Sequence, residues 1–397
     1  MKIKPFSGIR PSKKNLEEFL LHSTNNNSNS NNSFKKSYYN IIHGNKLLVP
    51  KFNNLSVKTN IKLLLSNNFL VKDNTPSLYV LSRIINNVNY TGIIALSSVV
   101  DFINNKIKIH EKTIKKKEKI FADYLESVKI NSEPVLLVYK KNNLINNLIS
   151  DITNLEPIYD FEISGNKNKF WKICDRKTID NVIKIFSKVD EFYLADGHHR
   201  INSSKLLYQR LNKNILLTKN INHKYFMSFL ISHNSIKINS FNRILHNLND
   251  NSKPYFLKSL SKFFIVDEIK KLKTPKLGFI NMYFKRKSYS LFLKNNINCP
   301  ELVSSDTHIL KNIIFKKILT LSDTQIENNI SFKKNTDNIR LFKKNIDCSN
   351  SRVGFVLKSL NFKKLKKIIK NKIYLPPKST MIEPKLINGL VIYDLEK

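Results

Sequence analysis

The densest group of reactive side chains lies in the stretch FYLADGHHR at residues 192–200, where an acid, a glycine, two histidines and an arginine follow a short apolar run. The apolar residues 192–195 predict the end of a buried strand. The INSSKLLYQRL that follows carries apolar residues at helical spacing. The spacing therefore predicts that residues 196–200 form a turn between a strand and a helix.

This turn has two features that favour the binding of an anion, namely a glycine and the start of a helix. Glycine permits tight backbone geometry and close approach of a ligand, and the first turn of a helix offers free N–H groups and a partial positive charge. We therefore expect Gly197 and Arg200 to bind a phosphate or carboxylate. The candidate catalytic residues are Asp196, His198 and His199, and Asp196 is also the candidate metal ligand. The alternative is that Asp196 only caps the helix and the histidines lie on the surface.

His110 and Glu111, in KIHEKT, form a second reactive group. This segment lies where a predicted strand gives way to a predicted helix, so Glu111 is expected near a helix start. The zinc-binding pattern HExxH is excluded because Ile114 stands where the second histidine would be. Glu111 is a candidate catalytic residue and His110 a candidate substrate-binding residue. An acid that only favours the helix dipole is the alternative.

Together these residues match the needs of phosphoryl transfer. This reaction uses a base for a hydroxyl, a carboxylate for Mg²⁺ and a guanidinium for the equatorial oxygens, and Glu111, Asp196 and Arg200 can supply these groups. The sequence has no GxxxxGKS, GxSxG or GxGxxG pattern. The common ATP-binding loop, the hydrolase serine elbow and the dinucleotide turn are therefore excluded.

A third candidate is the loop LPPKSTMIEPK near the end of the sequence. Its prolines predict a stiff loop, and a stiff loop loses less entropy when it grips a ligand. Its candidate phosphate- or substrate-binding residues are Lys378, Ser379, Thr380 and Lys385. In a chain so rich in lysine, ordinary surface lysines are the alternative.

The net charge of +38 is the most unusual feature of the composition. Lysines are spread along the whole chain, and the excess of Lys, Asn, Ile and Phe over Gly and Ala is typical of an A/T-rich genome. We therefore expect no specific nucleic-acid partner. Three scattered cysteines (Cys174, Cys299 and Cys348) indicate a reducing compartment. Since no signal peptide or membrane span is evident, we expect a cytoplasmic protein with no membrane partner.

The chain is long enough for two or three domains. We expect an N-terminal segment at residues 1–37, whose Asn-rich part at residues 24–33 is mobile, a catalytic core at 38–248 and a C-terminal α/β region at 249–397. Residues 76–102 predict a hairpin with a longer loop. The FNRIL segment is expected to be helical, and residues 249–370 to be more helical than the core. This mixture of elements predicts an α+β fold.

Seven motifs in order (PFSGIRP, GIIALSSVVDF, KIHEKT, FWKI, YLADGHHR, FNRIL and LPPKSTMIEPKLINGLVIY) resemble a large uncharacterised bacterial domain family with HExT and DGHHR signatures. That family is similar to the ADP-dependent free-serine kinases, whose core is the ParB/sulfiredoxin-like fold. The resemblance covers almost the whole chain. The Asn-rich segment departs from it, because family members carry a Pro-rich, Tyr-containing stretch there.

The resemblance implies a phosphoryl-transfer enzyme with a ParB/sulfiredoxin-like core. The DGHHR stretch corresponds to a DGHxR phosphate-binding turn through Asp196 and Arg200, and Glu111 to an upstream catalytic glutamate. The implied substrate is serine or phosphoserine, with a kinase-like and a phosphatase direction both open, and ADP or ATP and Mg²⁺ are the candidate cofactors. The alternative is a non-catalytic ParB-like binder of nucleotides or nucleic acid. The oligomeric state is left open.

Overall fold

The computed structural model describes residues 1–24, 54–212, 222–248, 253–295, 305–334, 338–349 and 351–396. The chain divides into two compact units. The first unit comprises Met1–Ile109, Thr113–Ile236 and Pro384–Lys397, and the second comprises His110–Lys112 and Lys237–Glu383. The candidate site residues are therefore distributed over two units, which are described separately.

A mixed sheet forms the centre of the first unit. Within the described residues it has nine strands in the order β6-β11-β8-β12-β5-β4-β10-β9, with β1 beside β5. Strand β11 runs parallel to β6, and β12 runs parallel to β8. With strands numbered along the chain, those of this unit are β1 (Ile3–Lys4), β2 (Ile9–Pro11), β3 (Leu70–Lys72), β4 (Leu78–Ile85), β5 (Val88–Ser98), β6 (Ile107–Lys108), β7 (Ile130–Asn131), β8 (Val135–Tyr139), β9 (Tyr159–Ile163), β10 (Asn166–Ile173), β11 (Phe192–Asp196), β12 (Tyr225–Ser232) and β21 (Tyr393–Asp394).

Helices contribute to the core of this unit. Strand β8 is buried along its whole length, as expected for a central strand that is covered on both faces. Phe192 and Leu194 of β11 belong to the same apolar core as Ile145 and Phe186, which lie on helices. The helices of the unit are α1 (Leu16–Thr24), α2 (Asn54–Ser66), α3 (Val99–Ile103), α4 (Lys115–Val128), α5 (Asn143–Thr153), α6 (Arg176–Ser187) and α7 (His198–Asn212).

The predicted hairpin is confirmed, but its loop is shorter than predicted. Strands β4 and β5 pair antiparallel from Tyr79 and Ile94 to Ile85 and Val88. The turn therefore consists of only two residues, Asn86 and Asn87, with φ of 50° and 62°. Two successive residues with positive φ match the right-handed twist of the strands, and asparagine tolerates that conformation better than most residues.

The second unit contains a six-stranded antiparallel sheet in the order β15-β17-β16-β19-β14-β18, and a strand pair β13-β20, within its described residues. Its strands are β13 (Lys237–Asn239), β14 (Phe241–Leu245), β15 (Phe264–Ile269), β16 (Phe279–Phe284), β17 (Lys287–Leu293), β18 (Ile330–Lys334), β19 (Val353–Leu357) and β20 (Met381–Glu383). Its helices are α8 (Lys253–Ser261), α9 (Asp306–Ile309), the π-helix Leu310–Ile318, α10 (Asp323–Asn329), α11 (Ile339–Asp347) and α12 (Phe362–Lys370).

The helix predicted for FNRIL is therefore wrong, because these residues form strand β14. Ile244 packs with Phe342 and Ile346, whereas Leu245 packs in a different apolar cluster. A strand that is buried on both faces loses the alternation that marks a strand in sequence, so its pattern cannot be told from a buried helix.

Together the two sheets and their helices confirm the α+β class. The units divide the chain differently from the boundaries expected at residues 38 and 249. Residues 1–24 belong to the first unit, where Ile3–Lys4 pairs with β5. The end of the chain also belongs to it, because Tyr393–Asp394 pairs with Ile130–Asn131. Most of the Asn-rich segment, residues 25–33, lies outside the described residues. Among the helices of the described residues, none has both the length and the apolar character that crossing a membrane requires.

Candidate functional site

The DGHHR residues form the predicted turn between a strand and a helix. Asp196 ends β11, and helix α7 begins at His198. The register between β11 and β8 shifts between Leu194 and Asp196, and such a bulge changes the direction of the side chains that follow it. Gly197 has φ of +95°, a conformation that other residues rarely adopt. Its carbonyl accepts the N–H of Ile201 at 3.0 Å, which closes the first turn of the helix.

Asp196 lies between two cations of the same unit. Its Oδ1 is 3.1 Å from the Nζ of Lys385, and its Oδ2 is 3.2 Å from the Nη2 of Arg200. Burial alone would raise the pKa of Asp196, but the charges of Arg200, Lys385 and His198 outweigh this effect and hold the pKa below its ordinary value. The side chain is still 37% exposed. The turn therefore presents an ionised carboxylate that a ligand can reach.

Arg200 is held by three groups of the protein. Its Nη1 lies 2.8 Å from Glu133 Oε1 and donates to the Pro134 carbonyl at 2.9 Å, while Nη2 donates to Asp196. A β-carbon on Gly197 would come within 3.0 Å of the Arg200 Nε, so the guanidinium packs against the glycine. Arg200 thus fixes Asp196 and the turn. Sequence reasoning missed Glu133, which lies two residues before strand β8 and gave no signal of its own.

Lys385 is positioned through its main chain by Arg83. The Arg83 Nη1 donates to the Lys385 carbonyl, and its Nε donates to Asn168 Oδ1 at 2.8 Å. Arg83 is buried in β4, and burial lowers its pKa to about 10. The sequence did contain a signal for this residue, because Arg83 is the one charged residue in the largely apolar strand LYVLSRII.

Two further side chains near the start of helix α7 anchor it to residues 113–118. The Asn202 Nδ2 donates to Thr113 Oγ1 at 2.9 Å, and the Ser203 Oγ donates to the Glu118 carbonyl at 3.0 Å. The ring of His199 lies 6.5 Å from that of Phe121 on α4. The predicted catalytic residue His199 therefore packs toward α4, while the charge of His198 acts on Asp196.

His110 and Glu111 belong to the second unit together with the residues of the PPKST loop. The buried His110 has its Nε2 3.0 Å from Thr380 Oγ1, and its carbonyl accepts the N–H of Leu375 at 2.8 Å. Glu111 forms a parallel bridge with Leu375. Helix α4 begins only at Lys115, so the structure does not support a dipole-stabilising role for Glu111 in the first turn of that helix.

The PPKST loop is fixed by buried polar groups. The Ser379 Oγ donates to the Pro376 carbonyl at 2.6 Å and to Thr307 Oγ1 at 3.2 Å. The Lys378 carbonyl accepts a hydrogen bond from Arg243 at 3.1 Å. The loop is therefore ordered as predicted, whereas sequence reasoning did not single out its partners Thr307 and Arg243. Of the lysines predicted for the LPPKSTMIEPK segment, Lys378 lies in the second unit and Lys385 in the first.

The chemistry around Asp196 does not fit a magnesium ion that the protein holds by itself. Mg²⁺ needs oxygen ligands in octahedral geometry, but both oxygens of Asp196 contact cations and Glu133 is engaged by Arg200. No group of three or more His, Cys, Asp or Glu side chains that could hold a metal ion occurs in the described part of the chain. The metal role predicted for Asp196 therefore finds no support in this geometry.

A family model with the description "Protein of unknown function (DUF1015)" matches residues 3–319. No curated protein matches the sequence. Three similar solved structures are SbnI with a C-terminal truncation from Staphylococcus aureus, a free serine kinase in complex with AMP, and a conserved hypothetical protein from Pyrococcus furiosus.

Their sequence identities to this chain are 10%, 13% and 14%, and their TM-scores are 0.40, 0.41 and 0.39, in the same order. The matches cover 74%, 74% and 76% of this chain and 85%, 88% and 96% of those chains. Identities and TM-scores this low assign no residue roles in this chain.

Proposed function

The chain belongs to the DUF1015 family, and we propose that it catalyses phosphoryl transfer to or from a small hydroxyl-bearing metabolite. The observation that carries this proposal is the arrangement of Asp196, Lys385 and the start of helix α7. An ionised carboxylate, a half-exposed ammonium group and the N–H groups of a first helical turn come together within one unit. Phosphoryl transfer needs this combination of positioning and fixed positive charge more than it needs covalent chemistry by the protein.

The roles of the residues follow from their contacts. Lys385 and the first-turn N–H groups of α7 bind the phosphoryl oxygens. Asp196 holds the Lys385 ammonium at 3.1 Å and accepts a hydrogen bond from a polar group of the substrate. Arg200 keeps Asp196 and Gly197 in place through its bonds to Pro134 and Asp196. This assignment gives Arg200 a positioning role rather than direct contact with phosphate.

The reaction itself balances as a displacement at phosphorus. In the synthetic direction the hydroxyl oxygen of the acceptor forms a bond to phosphorus, the bond to the leaving oxygen breaks, and the leaving group departs with the electron pair. The hydroxyl proton passes to a general base. The motif resemblance alone nominates Glu111, a residue of the second unit, for this role. In the phosphatase direction, water takes the place of the acceptor hydroxyl and attacks the phosphorus. The bond to the metabolite oxygen then breaks, and inorganic phosphate is released.

The motif resemblance also nominates serine or phosphoserine as substrate and ADP or ATP as donor. The test is to incubate the purified full chain with phosphoserine alone, and separately with serine plus ADP or ATP. Serine, phosphoserine and inorganic phosphate are then measured. We expect one of these conversions to proceed catalytically. A chain that interconverts none of these compounds, with or without added Mg²⁺, would contradict the serine assignment.

A further inference from the structure

Among the described residues of the second unit, one buried arginine has no acidic partner. Arg243 on β14 is only 4% exposed, and none of its contacts among the described residues is a carboxylate: its Nη1 donates to the Phe241 carbonyl at 2.7 Å and its Nη2 to the Lys378 carbonyl at 3.1 Å. Burial lowers the pKa of its guanidinium to about 10. Removing a charge from water is unfavourable unless an opposite charge offsets it, so this arrangement favours an anion beside the guanidinium.

A second cation, Lys378, lies on the loop whose carbonyl accepts a hydrogen bond from Arg243. Lys378 is exposed, and its Nζ stands 5.8 Å from the centre of the Phe241 ring. Its φ is +59°, a left-handed conformation that costs a non-glycine residue free energy. Such strain persists where the surroundings enforce it, and it is concentrated at functional sites. The bond from Arg243 to the Lys378 carbonyl is one contact that holds this conformation.

Two aromatic rings border the cations. Phe332 on β18 lies opposite Arg243 in the strand register, and its ring centre is 5.6 Å from the guanidinium carbon. Phe241 and Phe332 meet edge to face with their ring centres 6.3 Å apart. Phe332 is 36% exposed, so the cluster opens to solvent on this side. Apolar walls of this kind reduce the hydration of an ion and strengthen its attraction to nearby charges.

The strand pair β13-β20 next to the loop carries a further buried polar group. The Nδ2 of Asn239 is buried and has no acceptor among the described residues. Asn239 pairs in register with Met381, three residues after Lys378. Buried amide donors are nearly always satisfied in folded proteins, by protein, water or a ligand.

We infer that the second unit contains an anion-binding site in which Arg243 and Lys378 bind the phosphate or carboxylate group of a small ligand against Phe241 and Phe332. The guanidinium forms the fixed floor of this site and the Lys378 ammonium its mobile, solvent-facing cation. This site is separate from the proposed phosphoryl-transfer site of the first unit and does not depend on that proposal. Of these four residues, Lys378 is the one that sequence reasoning had indicated.

The test uses the full chain carrying Lys385→Ala, so that a contribution from the first unit is removed. Inorganic phosphate, and separately acetate, is titrated at constant ionic strength against chloride, and the midpoint of thermal unfolding and the heat of binding are measured. We expect phosphate, acetate or both to raise the midpoint beyond chloride. The anion that raises the midpoint more identifies which anionic group the site prefers.

Lys378→Ala, added to this background, should weaken the anion affinity about tenfold or more, because a charged contact is lost. Alanine has the same left-handed cost as lysine, so the loop backbone is unchanged. The matched control is Lys343→Ala, which removes an ammonium 4.8 Å from the Tyr283 ring in the same unit and should leave binding intact. No anion-specific stabilisation beyond chloride, or equal affinity with and without Lys378→Ala, would overturn the inference. Failure of the phosphoryl-transfer assays would not affect it.

Discussion

The Nζ of Lys385 lies 3.1 Å from the Oδ1 of Asp196, although the two residues are far apart in the sequence. The contact exists because residues 384–397 return to the first unit, where Tyr393–Asp394 pairs with Ile130–Asn131. The end of the chain thereby supplies a cation to the turn at the end of β11. Removal of this contact should be visible directly in the titration of Asp196.

Lys385→Ala should raise the pKa of Asp196 towards its ordinary value. Burial already favours the neutral acid, and the variant removes one of the charges that outweigh it. The pKa is measured from the carboxyl carbon shift of Asp196 by NMR. Because a lowered pKa adds stability that is lost as the pH falls, the variant should also flatten the acid limb of the stability curve. An unchanged Asp196 pKa would show that the contact is not maintained in solution.

Arg83→Met should also raise the pKa of Asp196, by less than Lys385→Ala does. Its effect is indirect, since Arg83 acts on Asp196 through Lys385. Arg83 holds the Lys385 carbonyl, so its loss frees the main chain that aims the ammonium. Global stability should change little, because Arg83 has no acidic partner in the described part of the chain and removal of its buried charge offsets the lost hydrogen bonds. In a double-mutant cycle, the shifts of the Asp196 pKa from Arg83→Met and Lys385→Ala should not add.

Arg243→Met is the matched control for this cycle, since Arg243 is also a buried arginine bonded to a lysine carbonyl but lies in the second unit. It should leave the Asp196 pKa unchanged. If the shifts of the Asp196 pKa from Arg83→Met and Lys385→Ala were fully additive, Arg83 would have no positioning role for Lys385.

Asp306→Asn should change how stability depends on pH between about 4 and 6. Burial raises the pKa of Asp306 to about 6, with Lys364 opposing the effect. The folded state therefore holds a proton that the unfolded state has lost, and the wild-type chain loses stability as the pH rises through this window. The difference between wild type and variant should amount to about 2–3 kcal/mol of unfolding free energy across it. Parallel stability curves from pH 4 to pH 7 would contradict this account.

Glu111→Gln should remove most of the turnover while leaving the fold intact. The amide keeps the shape of the side chain but cannot take up a proton, so a loss of about a hundredfold or more is expected for a general base. The unfolding midpoint should stay close to that of the wild type, since Glu111 lies outside the first turn of α4. Glu118→Gln, which alters the acid within that turn, is the control and should lower the midpoint. Wild-type turnover by Glu111→Gln would remove this residue from the catalytic set.

The turn at residues 196–200 could be predicted from sequence because its signals are local. An apolar run, a glycine and helical spacing follow one another directly, and the structure places Gly197 between a strand and a helix as expected. The partners of this turn could not be predicted in the same way. Glu133 and Lys385 reach it through strand pairing and chain return, and Arg83 acts on it through Lys385. A single sequence contains no record of such distant contacts.

The second unit shows the same limit for secondary structure. Strand β14 is buried on both faces, so FNRIL lacked the alternation that identifies a strand. The role of Arg243 depends on the burial that this strand position imposes, together with the loop at Lys378. An arginine in a short apolar segment is an indication that sequence reasoning could have used, but its carbonyl partners become visible only in three dimensions.

The most direct test of the central claim is the single-turnover rate of Asp196→Asn with the substrate and donor on which the wild-type chain acts. We expect the rate to fall about a hundredfold or more, because the asparagine no longer holds the Lys385 ammonium against the phosphoryl group. Asp180→Asn breaks another Asp–Arg pair with the same i,i+4 spacing, on helix α6, and should retain the wild-type rate. Wild-type turnover by Asp196→Asn would contradict the assignment of this turn as the site of phosphoryl transfer.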